Sequence, residues 1–318
     1  MSPGAPSVAA QARPAALRTT LTVVIAVSET AAGLADCLDA VCSQADAETE
    51  VIVTCGIEPP SDLMACFERV RWILLDPGSM VPQLWAKGIS VARGRFVAIT
   101  TAHLTPAGDW LETIRHAHAR IDSAGIGGRI DPPRGGTALD WATYFLRYSN
   151  YLTRDREETV TDIAGDNASY QQAALEAHWD AIRDGFWEPD FHRLLLAERR
   201  TLTFVPAMRL RQRFSYPFRS FCRQRLHHGR HFGATRVCGK RWATRLVRVA
   251  SAPLIPCVFL AKIVWRVARS GRDIGPFVRS SPVLLAFLLF WVTGEVWGYL
   301  SQPRPLATGT DSPQRASS

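Results

Sequence analysis

The amino-acid sequence predicts an α/β fold: a Rossmann-like, mostly parallel sheet with helices on both faces, followed by apolar C-terminal helices. Between residues 21 and 206, short β-branched runs alternate with stretches of helical periodicity. This alternation is typical of parallel sheets covered by helices. Hydrophobic residues make up 47% of the 318 residues, which is enough to bury a large core. After residue 235, long uncharged stretches replace the alternation.

Four strands and four helices are predicted in the first 120 residues. The run Leu21-Thr-Val-Val-Ile-Ala-Val27 combines apolar and β-branched residues and is followed by Ser28 and Glu29. Such a run is expected for a strand that is buried on both faces. The other strands are expected at residues 50–54, 71–75 and 95–101, and the helices at residues 34–44, 62–67, 82–91 and 106–120.

Glycine and proline interrupt the pattern between residues 125 and 136. Five glycines and two prolines in this segment predict a long loop, of the kind that borders the site in many α/β enzymes. Beyond it we expect helices at residues 141–152, 173–179 and 188–200 and a strand at residues 201–206.

The charge of the chain is divided unevenly along its length. The net charge is −10 over residues 1–198 and +18 over residues 199–318, and residues 199–248 contain 14 basic and no acidic side chains. Such an asymmetry indicates a polyanionic partner of the C-terminal part, either a membrane surface or nucleic acid. Because apolar stretches lie next to the basic segment, we expect an anionic membrane surface and no nucleic acid.

Two apolar stretches, residues 249–261 and 280–294, follow the basic segment. Both are shorter than the roughly 20 residues that a spanning helix needs. We expect the first to lie in the membrane interface or to be re-entrant, and the second to insert more deeply or to cross. Two buried core helices are the alternative. The expected organisation is a disordered tail (1–20), an α/β domain (21–235), a membrane-associated helical region (236–302) and a second disordered tail (303–318).

In residues 88–111, a helix ending in Ala92-Arg93-Gly94, a strand and a turn precede Trp110-Leu111. This segment is the most specific of several that resemble family 2 glycosyltransferases, which have the GT-A fold. The segment at 294–300 resembles membrane-associated members of the family. Other segments that resemble the family lie at residues 21–29, 34–44, 50–54, 165–175, 185–192 and 224–230.

The resemblance implies a set of site residues. Glu188 fits the position of the catalytic base best, and Asp190 lies two residues further on. In an inverting transfer, such a carboxylate takes the proton of the acceptor hydroxyl. Asp166 and Asn167 correspond to the acceptor side. The nucleotide-sugar residues would be Val27, Ser28, Glu29, Thr54, Gly88, Arg93, Thr101 and His103, and the diphosphate residues would be Gln224, Arg225, His228 and Arg230.

These residues also have purely structural interpretations. Glu188 and Asp190 suit the first turn of a helix, where the helix dipole favours acidic side chains. Asp166 and Asn167 follow a glycine in what is also a common turn sequence. Most arginines between residues 199 and 248 would form a solvated or lipid-facing surface.

The chain departs from the family at the metal site. The family's Asp-x-Asp motif holds a divalent ion and the donor diphosphate, and here it is replaced by Thr101-Ala102-His103. The acidic residue that follows the second strand is also missing from Thr54-Cys55-Gly56. Since Mg²⁺ and Mn²⁺ prefer carboxylate oxygens, binding of either ion is in doubt, with His103 as the candidate ligand. Otherwise His103 or the segment at 224–230 has to stabilise the departing diphosphate.

The sequence thus predicts a membrane-associated, inverting glycosyltransferase on the cytoplasmic face of the cell membrane. Its donor would be a nucleotide sugar, and its acceptor a lipid-linked or membrane-proximal hydroxyl. The alternative is a non-catalytic GT-A-like binding or scaffold protein at the membrane that has lost the metal site.

Overall fold

The computed structural model describes residues 19–213 and 216–301. Apart from residues 19 and 20, the tails expected at residues 1–20 and 303–318 lie outside the described residues. Within the described part, nine strands form one mixed sheet with helices on both faces.

The first four strands are parallel neighbours, as predicted. They are β1 (Leu21–Val27), β2 (Thr49–Cys55), β3 (Arg71–Leu74) and β4 (Phe96–Thr101), and they lie in the order β3-β2-β1-β4. All seven residues of β1 are buried. Because successive side chains of a strand point to opposite faces, Val23 and Ile25 join the core on one face, and Val24 and Ala26 join the core on the other.

The remaining five strands make the sheet mixed, whereas a mostly parallel sheet was expected. They are β5 (Leu104–Pro106), β6 (Gly125–Asp131), β7 (Glu158–Val160), β8 (Ala168–Gln171) and β9 (Leu202–Gln212). β8 pairs antiparallel with both β4 and β6, and β9 pairs antiparallel with β5 and β7 but parallel with β6. The full order is β3-β2-β1-β4-β8-β6-β9-β5, with β7 beside β9.

The prediction of a loop at residues 125–136 is wrong for the first seven of these residues, which form β6. The glycines of β6 are sites of close packing. A Cβ atom at Gly127 would lie 2.4 Å from Cβ of Ile163, and one at Gly128 would lie 1.9 Å from the carbonyl oxygen of Met208. Glycine in a strand permits such close approach of a neighbouring segment.

Helices on the two faces enclose two apolar cores. The core that contains Ile25 also contains residues of α1, α4 and α5, and the core that contains Val24 contains residues of α3, α6 and α8. The eight helices up to residue 197 are α1 (Leu34–Cys42), α2 (Ser61–Cys66), α3 (Val81–Ile89), α4 (Trp110–Arg120), α5 (Ala138–Tyr148), α6 (Gln172–Ala177), α7 (Trp179–Ile182) and α8 (Glu188–Ala197).

Four helices complete the described chain: α9 (Phe218–Arg236), α10 (Trp242–Ser251), α11 (Leu254–Ser270) and α12 (Ile274–Leu300). The apolar stretch at 249–261 is divided between α10 and α11, which bend by 55° at their junction. The stretch at 280–294 lies within α12, which has 27 residues and contains an 18-residue window with a mean hydropathy of 1.7. By length and composition, α12 is the one described helix that could cross a membrane, and the bent α10–α11 pair is a second candidate if it forms one span.

Along its length, α12 packs against the α/β part of the molecule. Near its start, Phe277 meets Phe145 of α5 with ring centroids 5.2 Å apart. At its middle, Phe287 meets Phe221 of α9 with ring centroids 4.6 Å apart. In its last part, the fully buried Glu295 forms an ion pair with Arg236 of α9.

Glycines bring the backbones of α9 and α12 into contact. Gly229 and Gly233 of α9 face Gly294 and Gly298 of α12, so that each helix presents two glycines four residues apart. A Cβ at Gly229 would lie 2.1 Å from the carbonyl oxygen of Trp291. Small residues at this spacing allow helices to pack at unusually short distances.

Candidate active site

A cavity of 260 Å³ brings together several buried or partly buried charged side chains with an apolar wall. It lies between α5, the segment 162–166, the start of α8 and the helices α9, α11 and α12. Its charged and titratable lining residues are Arg147, Asp162, Asp166, Glu188, Arg225 and His228. Its apolar lining residues include Leu146, Phe232, Phe259, Leu288 and Trp291.

Glu188 begins α8 and lies against the backbone of Gly165. A Cβ atom at Gly165 would lie 2.3 Å from Cγ of Glu188 and 2.6 Å from its Oε1, so glycine is what allows this approach. Burial, together with the nearby charge of Asp166, raises the pKa of the Glu188 carboxyl to about 7. Since a general base works best when its pKa lies near the working pH, this environment suits Glu188 to accept a proton at neutral pH.

Asp166 is held in a buried ion pair with Arg147 of α5. Nη2 of Arg147 donates to Oδ1 of Asp166 at 2.6 Å and to Oδ2 at 2.5 Å. The hydroxyl of Tyr148 donates to Oδ2 at 3.0 Å. Burial disfavours the guanidinium charge, but the Asp166 carboxylate holds the pKa of Arg147 above its ordinary value. Arg147 therefore stays charged in its ion pair with Asp166, which lies beside Glu188 in the same cavity.

Arg225 and His228 lie on the face of α9 that lines the same cavity. Arg225 donates to Oε1 of Gln224 at 2.9 Å, and its guanidinium stacks on Phe221, 4.7 Å from the ring centre. Burial lowers the pKa of Arg225 to about 9, and the like charge of Arg147 contributes. The site thus contains a second buried cation close to the Arg147–Asp166 pair.

A second cavity, of 200 Å³, lies at the carboxyl end of β1, where Ser28 and Glu29 meet another face of α9. Arg223 donates to Oε1 of Glu29 at 3.4 Å. Open α/β sheets bind ligands beyond the carboxyl ends of their strands. This cavity therefore lies where open α/β sheets bind ligands.

Comparison with known proteins identifies the family. Residues 22–179, about half of the chain, match the model of "Glycosyl transferase family 2". The chain belongs to this family. Within the family 2 match lie β1 to β4, the segment at Asp166 and the start of α7. No curated protein sequence matches the chain.

Solved glycosyltransferases are similar in structure to this family 2 chain. The mannosyltransferase PcManGT from Pyrobaculum calidifontis, in complex with GDP-Man and Mn²⁺, superposes with a TM-score of 0.51 at 14% identity, over 88% of each chain. This likeness confirms the GT-A fold. GalNAc-T7 with UDP, GalNAc and Mn²⁺ gives a TM-score of 0.47 at 14% identity, over 62% of this chain. The chain spans 44% of the length of GalNAc-T7.

The residues at the position of the Asp-x-Asp motif do not fit a divalent cation. Thr101 ends β4, and His103 follows with its ring centroid 4.0 Å from that of Tyr216. Burial lowers the pKa of His103 to about 3, with a further contribution from Arg147, so the imidazole is neutral. No group of three His, Cys, Asp or Glu side chains within residues 19–213 and 216–301 is arranged to hold a metal ion. Hydroxyls and one imidazole are a poor ligand set for Mg²⁺ or Mn²⁺.

The other predicted nucleotide-sugar residues divide into two groups. Val27 and Thr54 lie in the buried parts of β1 and β2 near the edge that carries Ser28. Gly88 and Arg93 lie elsewhere. A Cβ at Gly88 would lie 2.2 Å from Cγ1 of Val24, which makes Gly88 a packing residue of α3. The backbone N–H of Arg93 donates to Glu50 near the amino end of β2, at the opposite edge of the sheet.

Three more predicted site residues are engaged in the fold. Asn167 donates to the carbonyl oxygens of Arg129 and Met208 and accepts from Trp110, so that its amide is used within the core. Asp190 pairs with Arg193 and lies 3.6 Å from Nε2 of His231, and these two neighbours hold its pKa below the ordinary value despite burial. Arg230 stacks on Trp297 at 4.2 Å. None of the three lines the cavity of Glu188.

Arg147 and Tyr148 were not predicted as site residues. They lie in an aromatic helix, and aromatic residues at helical spacing usually indicate core. Arg147 on the apolar side of this helix was the sequence feature that could have indicated a site residue, since a buried arginine requires an anionic partner. Asp162 was also missed. It lines the cavity and accepts from Tyr151 at 2.9 Å while pairing with the buried His192 at 2.8 Å.

Proposed function

We propose that this family 2 chain is an inverting glycosyltransferase in which Glu188 is the general base. The observation that carries the proposal is the partly buried Glu188 carboxyl, whose pKa is raised to about 7, in a cavity that Arg147 and Arg225 also line. The acceptor hydroxyl attacks the anomeric carbon, Glu188 takes the hydroxyl proton, and the bond to the donor phosphate oxygen breaks. One displacement inverts the anomeric centre.

Asp166 acts in this scheme as a positioning residue. Its ion pair with Arg147 and its hydrogen bond from Tyr148 hold a negative charge next to Glu188. That charge contributes to the raised pKa of Glu188. A second role for Asp166 on the acceptor side, as the family resemblance implies, would need an acceptor hydroxyl to donate to it in the bound complex.

The donor in this proposal is a nucleotide sugar whose nucleotide occupies the 200 Å³ cavity of Ser28 and Glu29. Its diphosphate would extend past Thr101 and His103 towards Glu188. PcManGT, the structural neighbour that covers 88% of this chain, was solved with GDP-Man, which supports a nucleotide-diphosphate sugar as the class of donor.

The acceptor in this proposal is amphipathic, either lipid-linked or at the membrane surface. One side of the cavity is built from Phe232, Phe259, Leu288 and Trp291, which suit hydrocarbon, and the other side carries Glu188. In α11 the exposed Val258 precedes Phe259, and in α12 the exposed Leu289 follows Leu288. The apolar wall is therefore continuous with the exposed apolar surface of these helices.

Membrane contact is proposed for the exposed side of α10, α11 and α12. Trp242, Leu246 and Val247 of α10, Trp265 of α11 and Val278 of α12 are all more than two-fifths exposed. The basic side chains nearby would face the anionic lipids of the cytoplasmic leaflet, each contributing about 1 kcal/mol. Because α12 packs on α5 and α9 along its length, we expect α12 to lie against the membrane together with the α/β domain.

Sedimentation with vesicles tests the membrane proposal. We expect binding to vesicles that contain phosphatidylserine, and loss of most binding when Trp265 and Val278 are both changed to Glu. The matched control changes the exposed Met64 of α2 to Glu, on the acidic body of the molecule. Equal binding of all three proteins, or none by the unchanged protein, would contradict membrane contact by this surface.

A non-catalytic scaffold protein is the second candidate, and the replacement of the Asp-x-Asp acids by Thr101-Ala102-His103 is what favours it. The two candidates are separated by measuring nucleotide release from a panel of UDP- and GDP-sugars, with membrane lipid extract as the acceptor, both with EDTA and with Mn²⁺. Transfer of sugar to the lipid fraction supports the enzyme. The absence of nucleotide binding and of turnover under both conditions would overturn it.

A further inference from the structure

The Arg225 guanidinium is buried without a counter-charge. Its Nη2 atom lies 2.9 Å from Oε1 of Gln224 and 3.2 Å from Nδ1 of His228, and its Nε has no hydrogen-bond partner. No carboxylate within residues 19–213 and 216–301 lies within 4.0 Å of it. Two carboxylates of the cavity act on its charge: Asp166, which is already paired with Arg147, and Glu188, which is not in ion-pair contact with Arg225. A buried charge that lacks a partner is strongly destabilising, so this position favours an anion from outside the chain.

His228 supplies a second donor at the same place. A guanidinium can only donate, so Nδ1 of His228 must accept the hydrogen bond from Arg225. Burial and the charge of Arg225 lower the pKa of His228 well below its usual value, so that the ring is neutral. In a neutral imidazole whose Nδ1 accepts, Nε2 carries the proton. Nε2 of His228 is buried without a hydrogen-bond partner, and it is therefore a donor that lacks an acceptor.

The carboxyl end of β4 offers further polar groups. The hydroxyls of Thr100 and Thr101 and Nδ1 of His103 are buried without partners. Hydroxyls donate well to phosphate oxygens, whereas a hard cation needs carboxylates. The unsatisfied groups on α9 and on β4 therefore suit the same kind of ligand, one rich in oxygen and negatively charged.

We propose that Arg225 and His228 form a metal-independent subsite for phosphate oxygens in the glycosyl-transfer site. The proposal rests on the function proposed above and specifies how the donor is held. As the bond between the anomeric carbon and the phosphate oxygen breaks, the electron pair moves to the departing diphosphate, and the Arg225 guanidinium and the Nε2–H of His228 stabilise its negative charge. Such charge stabilisation is the task that a divalent ion performs in sites built from carboxylates.

The phosphate could belong to the donor or to a phosphorylated lipid acceptor, and calorimetry separates the two sources. The full chain in detergent is titrated with UDP, GDP and inorganic pyrophosphate, and with dodecyl phosphate against dodecanol, each in EDTA. Binding of the diphosphates assigns the subsite to the donor. Binding of dodecyl phosphate alone assigns it to the acceptor. Binding that requires Mn²⁺, or no binding by any phosphate, overturns the proposal.

Variants of α9 locate the subsite. Arg225→Gln should weaken metal-free phosphate binding by about 10- to 100-fold, the loss expected for a charge-assisted hydrogen bond, and Arg225→Lys should weaken it less. His228→Gln should also weaken it, and this variant keeps the test valid if Arg225→Gln does not fold. The matched control, Arg219→Gln, changes an exposed arginine of the same helix and should leave binding unchanged. Equal binding by all variants would contradict the subsite.

The same experiments distinguish failure of the subsite from failure of the proposed function. Sugar transfer that is abolished by EDTA and restored by Mn²⁺ leaves the glycosyltransferase in place and removes the metal-independent subsite. Metal-free phosphate binding that depends on Arg225, without transfer from any donor in the panel, leaves the subsite and removes the enzyme.

Discussion

Glu188 lies so close to Gly165 that a Cβ atom at position 165 would be 2.3 Å from Cγ of Glu188. This contact positions the carboxyl in the cavity that Asp166 and Arg225 also line. The position of the proposed base therefore depends on a residue that has no side chain and takes no part in the chemistry.

Gly165→Ala should displace Glu188 and lower the turnover number by at least about 10-fold, because a misplaced catalytic group loses much of its effect. Nucleotide binding should remain, since the cavity of Ser28 and Glu29 does not include Gly165. The matched control is Gly108→Ala, where a Cβ meets no atom within 4 Å. Steady-state kinetics of the two variants measure the difference. Equal turnover numbers would show that the contact does not position the base.

The pH dependence of the reaction should report Glu188. Its pKa is raised to about 7, and a base acts in its deprotonated form, so kcat/KM should rise with pH and level off above an apparent pKa near 7. A profile that is flat between pH 5 and 8, or that falls as pH rises, would exclude Glu188 as the base.

The same shift predicts how stability depends on pH. In the pH window from the ordinary carboxyl pKa of 4.5 to about 7, the folded protein binds the proton and the unfolded chain does not. The free energy of unfolding therefore falls as pH rises through this window. Glu188→Gln does not titrate at this position and lacks this loss. The difference between its free energy of unfolding and that of the parent should therefore shift in favour of the variant by up to about 3 kcal/mol from pH 4 to pH 8. Urea denaturation at several pH values measures it, and a constant difference would contradict the raised pKa.

Asp166→Asn should destabilise the protein by about 3–5 kcal/mol, because it leaves the buried Arg147 without its counter-charge. Arg147→Met together with Asp166→Leu should destabilise it less, since no unpaired charge then remains. Thermal or urea unfolding of both proteins provides the comparison. If the double variant is the less stable one, the pair contributes more than its desolvation penalty.

The contact between α9 and α12 should be sensitive to a single methyl group. Gly294→Ala places a Cβ 2.1 Å from the carbonyl oxygen of Leu226, so the two helices must separate, at a cost of about 1–3 kcal/mol in the free energy of unfolding. Gly275→Ala, in the same helix but with nothing within 4 Å, is the matched control and should change stability by less than about 0.5 kcal/mol. Similar effects of the two substitutions would contradict tight packing at Gly294.

The sequence predicts the first half of the fold well, because four buried strands are marked by continuous β-branched and apolar runs. It fails at β6, where Gly127 and Gly128 suggest a loop. Their real constraint is the approach of Ile163 and Met208, residues that are 36 and 80 positions away in the chain. Such long-range packing has no local signal. The pairing of glycines between α9 and α12 is hidden for the same reason.

The candidate site is predictable where chemistry is concentrated in a short motif. Glu188, Asp166 and Arg225 were all expected, and they line one cavity. Arg93 and Arg230 were expected on the same grounds, but tertiary packing directs Arg93 to the far edge of the sheet and stacks Arg230 on Trp297. Arg147 escaped prediction because its role depends on Asp166, which approaches it only in the folded chain.

The most direct test of the central claim compares Glu188→Gln with the unchanged protein in both sugar transfer and nucleotide binding. Removing a general base lowers the rate by about 100- to 10,000-fold, so transfer should fall by that factor while the affinity for UDP or GDP stays within about two-fold. This result would identify Glu188 as the base of a working transferase. Transfer by Glu188→Gln at the parental rate would contradict the account.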